Sequence, residues 1–395
     1  MLILKEDIPS VETHNFKLSS VGIDNKITFE LTSETYEGVD IKFTLESQIH
    51  KVFSAYSVSV HLFKNSHFSQ KDIIDLRVDG FIQRKGQVGY LFRLDALFEP
   101  DALQLNEHTF SYAYYALEKI FSEEISFQTK TIELKTNEFR IADFFDEDTI
   151  ILVLCNEYIS RINNFSIDNY LASLYLNGFI NFNKNIEIEH FNNASIIESN
   201  YANVKKVFRN DGVFVLRVPQ ANTVLAGENF VYHLFLNLIQ KKTDPITRFI
   251  MLYQIVEIFI SKIFHLKVQS KICNDLSNLT NIQLRDFLSD IQKEKTRIKA
   301  LLNEYARPTS PLETELRQTI IDFFVHVNDP DYKDASKYDE LSLTDVFYEY
   351  RNKLVHNYRQ VHAPGIDNVL TIEKMSSVNS LTEVLMAQVI SNFQI

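Results

Sequence analysis

The chain has 395 residues, 45% of them hydrophobic, and a formal net charge of −12, so it can build two or three domains with real cores. Only 9 Gly and 8 Pro exclude a low-complexity disordered chain and a Gly-rich phosphate loop. The acidic balance excludes a globally basic nucleic-acid coat; any contact with a polyanion must be a local patch or one shared between subunits.

The first residues, Met1-Leu2-Ile3-Leu4-Lys5-Glu6-Asp7, lack the basic-then-apolar order of a secretory signal. Residues 1–105 read as β-rich. Apolar and polar side chains alternate over Lys26–Leu31, Val39–Leu45 and Ala55–Leu62, and Val78–Phe92 reads as two strands around an Arg-Lys-Gly turn. An antiparallel sandwich or curled sheet fits this pattern. From Asn106 the period changes, and Phe110–Phe121 reads as an amphipathic helix. Strands are expected at Ile125–Leu134 and Thr149–Leu154, a helix at Ile167–Leu176, and mixed structure over Asn177–Asn200. The two cysteines, Cys155 and Cys273, form no C-x-x-C, so zinc-ribbon and thiol-redox chemistry lack support and a reducing, cytoplasmic setting is expected.

Near Glu228 the chain turns helical. Asp244-Pro245 is a good helix start, with Thr243 or Asp244 as cap. The helix Ile246–Leu266 is apolar nearly all round, and Thr247, Gln254, Glu257 and Ser261 form its one polar stripe. Its charges make it a bundle helix rather than a membrane span. Further helices are expected over Asn281–Ala306, with the cations Lys293, Lys295, Arg297 and Lys299 in its middle, and over Glu313–Val327. A loop follows to Glu340. The next helix starts near Ser342, which caps it with Asp345, and turns Leu343, Val346, Phe347, Tyr350 and Leu354 to the core. A last helix is expected over Ser380–Phe393. The fold class is therefore α+β: a β-rich module over 1–225, with an internal break expected near 105–125, then an all-α bundle over 226–395.

The helix that begins at Ser342 carries the chemistry. Arg351 and His356 both act on phosphodiesters, the first as a permanent planar cation, the second as a proton carrier near neutral pH. Five residues apart on an ideal helix is about 140° round and about 7.5 Å along, so the pair is not expected to project side by side. Two copies meeting about a two-fold axis would instead gather two Arg and two His in one cleft. Such a set suits metal-free RNA cleavage: a base activates the ribose 2′-OH, an acid protonates the leaving 5′-oxygen, and arginine stabilises the phosphorane. No H-E-x-x-H or other metal spacing is present, and no cofactor is expected.

Arg351-Asn352-Lys353-Leu354-Val355-His356 resembles the R-x(4–6)-H signature of HEPN domains, with a polar residue after the arginine. The helix Arg248–Glu257 resembles the early, acid-bearing helix of the ApeA-like anti-phage HEPN group. The resemblance covers roughly residues 228–395. It implies a metal-independent endoribonuclease cutting RNA, tRNA included, as a cytoplasmic homodimer in anti-phage defence or abortive infection. The N-terminal module would then sense a phage-derived trigger or restrain a toxin. Arg351 and His356 are the implied catalytic pair. Supporting roles fall to Glu257, expected as a buried acid orienting them or as an ordinary ion pair, and to Asn352. Tyr358, Arg359, Lys353, Lys293, Lys295 and Arg297 are candidate RNA contacts, the plainer alternative being packing or a solvated helix face. Two other readings stand beside this one: a non-catalytic dimerisation module, and a HEPN partner modified by a nucleotidyltransferase, with Tyr358 as acceptor.

Overall fold

A computed structural model describes residues 14–23, 27–33, 40–45, 58–65, 73–79, 86–93, 116, 126–127, 149–181, 208–210, 213–220, 230–231, 244–275, 279–327, 340–356, 361 and 365–392. The chain divides into two compact units. One comprises Met1–Ile167, Gly178–Ser195 and Lys205–Pro219, the other Asp168–Asn177, Ile196–Val204 and Gln220–Ile395.

The first unit holds β1 (His14–Ile23), β2 (Ile27–Ser33), β3 (Asp40–Leu45), β4 (Val58–Lys64), β5 (Ile74–Val78), β6 (Gln87–Arg93), β7 (Ser126–Phe127), β8 (Thr149–Cys155), the short helix α1 (Asn156–Ile159), β9 (Ile180–Asn181), β10 (Phe208–Asn210) and β11 (Val213–Val218). They form a four-stranded sheet ordered β3-β2-β1-β7 and a seven-stranded sheet ordered β10-β11-β5-β6-β8-β4-β9. All seven residues of β8, Thr-Ile-Ile-Leu-Val-Leu-Cys, are buried, as a strand covered on both faces requires. At Gly89 on β6, a Cβ would come 1.9 Å from the Val153 carbonyl oxygen, so only glycine permits this approach to β8.

Alternation placed β2, β3, β4 and β6 well, and the strand expected over Thr149–Leu154 is β8. The strand paired with β6 lies at Ile74–Val78, upstream of the expected Arg-Lys-Gly turn. The sheet is not purely antiparallel, because β11 pairs parallel to β5 across a long sequence separation. Of the helix expected over Phe110–Phe121 only Ala116, helical and buried, is described, and most of the Ile125–Leu134 and Asn177–Asn200 segments lie outside the described residues, as does the 328–339 part of the expected loop.

The second unit is helical: α2 (Leu171–Leu176, after a 3-10 turn over Ile167–Tyr170), α3 (Pro245–Asp275), α4 (Asn281–Gln292), α5 (Glu294–Ala300), a π-helical turn (Leu301–Ala306), α6 (Ser310–His326), α7 (Leu343–His356) and α8 (Asn368–Asn392). Helix α2 belongs here although it precedes residue 225. Asp244 caps α3, accepting from the Thr247 N–H at 3.0 Å. The helix expected over Asn281–Ala306 is interrupted: Thr280 and Gln283 form a capping box for α4, and Lys293 takes an extended conformation that ends it and starts α5. Helix α8 begins earlier than expected, and residues 378–390 are all buried. It packs against α2, α3 and α6.

By length and composition α3 could cross a membrane. In this bundle its Phe249, Leu252, Ile255, Val256, Phe259 and Ile263 are buried, while Thr247, Gln254, Glu257 and Ser261 face outward. The helix is therefore not surrounded; its polar stripe is its solvent face. Arg248 of α3 is 6% exposed and pairs with Glu383 of α8, which is 1% exposed. The Tyr175 hydroxyl of α2 donates to the other Glu383 oxygen at 3.3 Å. One carboxylate thus ties three helices together. Removing one partner of a buried pair strands the other charge without solvent. Glu383→Ala is expected to cost about 3–5 kcal/mol in denaturant unfolding, whereas an apolar pair such as Arg248→Met with Glu383→Leu costs far less than the two single changes summed.

Candidate functional site

Helix α7 is fixed at its start by reciprocal capping. The Ser342 N–H donates to Asp345 Oδ2 at 2.9 Å, and the Asp345 N–H donates to Ser342 Oγ at 3.3 Å. Its expected core face, Leu343, Val346, Phe347, Tyr350 and Leu354, is buried throughout. The Tyr350 ring lies edge-on to Phe249 at 4.8 Å and Phe323 at 4.9 Å between centroids, and Phe347 stands 6.1 Å from Phe249. These contacts set the roll of α7 about its axis, and the next residue, Arg351, falls at the edge of the packed face.

Arg351 is held on three sides. Its guanidinium carbon lies 5.4 Å from the centre of the Tyr253 ring on α3. Its Nε is 3.8 Å from Glu294 Oε1 at the first residue of α5, within ion-pair reach but beyond hydrogen-bond distance. Nη1 donates to Asn352 Oδ1 at 3.1 Å. The Tyr253 hydroxyl donates to the same Glu294 oxygen at 2.6 Å, so ring and carboxylate brace each other. Burial, then this hydrogen bond, pushes the Tyr253 hydroxyl pKa well up, so it stays a donor at any ordinary pH. The Arg351 side chain is 17% exposed, its outer end reaching the surface.

That outer end meets the histidine. Nη1 of Arg351 lies 3.2 Å from Nε2 of His356. A guanidinium only donates, so Nε2 accepts and the imidazole proton sits on Nδ1. The expectation that the two side chains diverge is corrected. Arginine is long, and a side chain on the last helical turn leans back toward the helix N-terminus, which together close the angular gap. The result is an exposed imidazole in contact with a partly exposed guanidinium.

The other candidate residues divide. Asn352 touches Arg351 rather than His356. Glu257 is exposed on α3, which overturns its reading as a buried acid; the carboxylate beside Arg351 is Glu294. Sequence reasoning missed Glu294 because it saw only the cations around it. The one acid inside a run of four cations was the available signal. Lys353 is 7% exposed, so it does not offer a surface contact to RNA. Lys293 pairs with Asp290 at 3.1 Å and Lys295 with Asp345 at 2.7 Å. Arg297 lies over the Phe264 ring at 5.9 Å. Lys293 and Lys295 stay exposed beside these surface partners, and Arg297 is half-buried. Tyr358 and Arg359 lie outside the described residues. No group of three or more His, Cys, Asp or Glu that could hold a metal ion occurs among the described residues. Comparison with protein-family models, curated proteins and solved structures finds no match.

Two tests of this frame follow from its packing and its cap. The buried Tyr350 hydroxyl has no hydrogen-bond partner among the described residues. Tyr350→Phe should therefore melt at or above the wild-type temperature, while Tyr350→Ala loses about 3–5 kcal/mol. Burial acts to raise the Asp345 pKa, but hydrogen bonds from Lys295 and Ser342 outweigh it, and the group sits below its ordinary value. A depressed carboxyl stabilises the fold above the unfolded-state pKa and loses that contribution as pH falls through the folded value. The stability gap between wild type and Asp345→Asn, read by denaturant melts, should shrink between about pH 7 and about pH 3.

Proposed function

We propose that the helical unit is a HEPN endoribonuclease that cleaves RNA without a metal, and that the β-rich unit senses infection or restrains it. The observation that carries this reading is the 3.2 Å contact between Arg351 and His356 at the exposed end of α7, with the guanidinium braced from behind by Tyr253 and Glu294. A phosphate entering beside the pair meets a guanidinium and an imidazole at one place.

In the reaction proposed, the entering phosphate draws the guanidinium of Arg351 away from His356, and the freed Nε2 takes the proton from a ribose 2′-OH. The oxygen attacks the adjacent phosphorus, Arg351 stabilises the charge on the phosphorane, and the 5′-oxygen leaves with a proton. The products are a 2′,3′-cyclic phosphate and a 5′-OH end. One imidazole cannot be base and acid in the same step, which favours a homodimer whose second His356 serves as acid. The role assigned to the protein is anti-phage defence or abortive infection, with cellular RNA, tRNA included, as the substrate.

Purified full-length protein incubated with total RNA and EDTA should release 5′-OH ends. Arg351→Ala and His356→Ala should each lower that release by at least about 10²-fold, measured by end-mapping, while melting like the wild type. Undiminished cleavage by both variants would remove the pair from the chemistry.

A further inference from the structure

Arg351 bonds with its tip and leaves its inner donor open. Nη1 reaches Asn352 Oδ1 at 3.1 Å and His356 Nε2 at 3.2 Å. Nε is buried and makes no hydrogen bond among the described residues, although Glu294 Oε1 stands 3.8 Å away. A charge-assisted N–H···O⁻ bond closes at about 2.7–2.9 Å, so the remaining gap is roughly one ångström. A buried donor left open is costly, and here its natural acceptor is just out of reach.

Glu294 is placed to receive it. Its Oε1 already accepts from the Tyr253 hydroxyl at 2.6 Å, and a carboxylate oxygen has room for a second donor. Burial, then that bond, keeps the hydroxyl protonated, so the oxygen stays anchored at any ordinary pH. The guanidinium carbon lies over the Tyr253 ring, 5.4 Å from its centre. A ring face attracts a cation without a directed bond, so it supports the guanidinium and leaves it free to turn. The planar fork of arginine offers several donors in different directions, so Nε can bond a carboxylate while the Nη groups bond a phosphate.

We infer that Glu294, held by Tyr253, is the positioning residue for Arg351: it takes the Nε–H when a phosphate displaces the guanidinium from His356, and the same movement releases the imidazole nitrogen. The inference rests on the ribonuclease reading and names how that site passes from a closed to an open arrangement. No covalent bond changes in this handover. Nη1 exchanges the imidazole nitrogen for a phosphate oxygen, and Nε gains Glu294. His356 is thereby masked until a phosphate arrives.

The test uses full-length protein with EDTA and one synthetic single-stranded oligoribonucleotide, with its 2′-O-methyl form as the uncleavable ligand in fluorescence polarisation. Removing an acid beside a polyanion site tightens binding by charge alone. The handover requires the opposite sign. Glu294→Ala should bind the 2′-O-methyl strand about fivefold more weakly and cut the cleavable strand with kcat lowered about tenfold or more. Tyr253→Phe, which keeps the ring and the charge, should shift both quantities the same way by less; if Glu294→Ala fails to fold, this variant decides by the same sign. Equal or tighter binding overturns the inference and leaves the nuclease intact. If wild type neither cuts nor binds the strand, the ribonuclease reading fails, and crystals soaked in inorganic phosphate decide. Nε within hydrogen-bond reach of Glu294, with Nη1 turned off His356, sustains the handover; any other arrangement overturns it.

Discussion

Tyr350 has no solvent exposure, and its ring is boxed by Phe249, Phe323 and Phe324. A helix has a single rotational freedom once its axis is placed, and these rings remove it for α7. The next residue along is about 100° further round, by helix geometry. Arg351 is thereby carried to the seam between packed and exposed surface, where its stem meets Tyr253 and Glu294 and its tip meets His356. Apolar packing that takes no part in any chemistry thus decides where the polar groups stand.

The bundle behind that helix is organised by an unusual choice, a glutamate at the centre of α8. Glu383 joins α8 to Arg248 of α3 and to Tyr175 of α2. Burying charges rarely adds stability over an apolar core, but the pair tolerates only one register between the helices that carry it. Arg248 lies five residues before Tyr253 on the same helix. A fixed register of α3 therefore also fixes the ring under Arg351.

Two acids exchange places relative to what the sequence suggests, and the exchange bears on the proposed chemistry. Glu294 sits close to Arg351 and shares its carboxylate with the Tyr253 hydroxyl. Glu257 faces outward on α3. An inner acid can hold a guanidinium in one orientation. The cationic run from Lys293 to Arg297, for its part, stands against Asp290, Asp345 and the Phe264 ring, with both lysines still exposed.

By itself, the sequence determined the elements and faces that depend on near neighbours. The core face and cap of α7, the start of α3 at Asp244-Pro245, the span of α6 and the existence of β8 follow from side-chain patterning and local hydrogen bonds, which need no knowledge of the rest of the chain. Tertiary structure alone decided the break at Lys293, the parallel pairing of β11 with β5, the choice of Glu294 over Glu257, and the meeting of Arg351 with His356. Each of these depends on groups from distant segments competing for one place, or on how far a flexible side chain reaches once its helix has been turned by its neighbours. Spacing along the chain reports the angle between two Cβ atoms; it carries no information on where long side chains end.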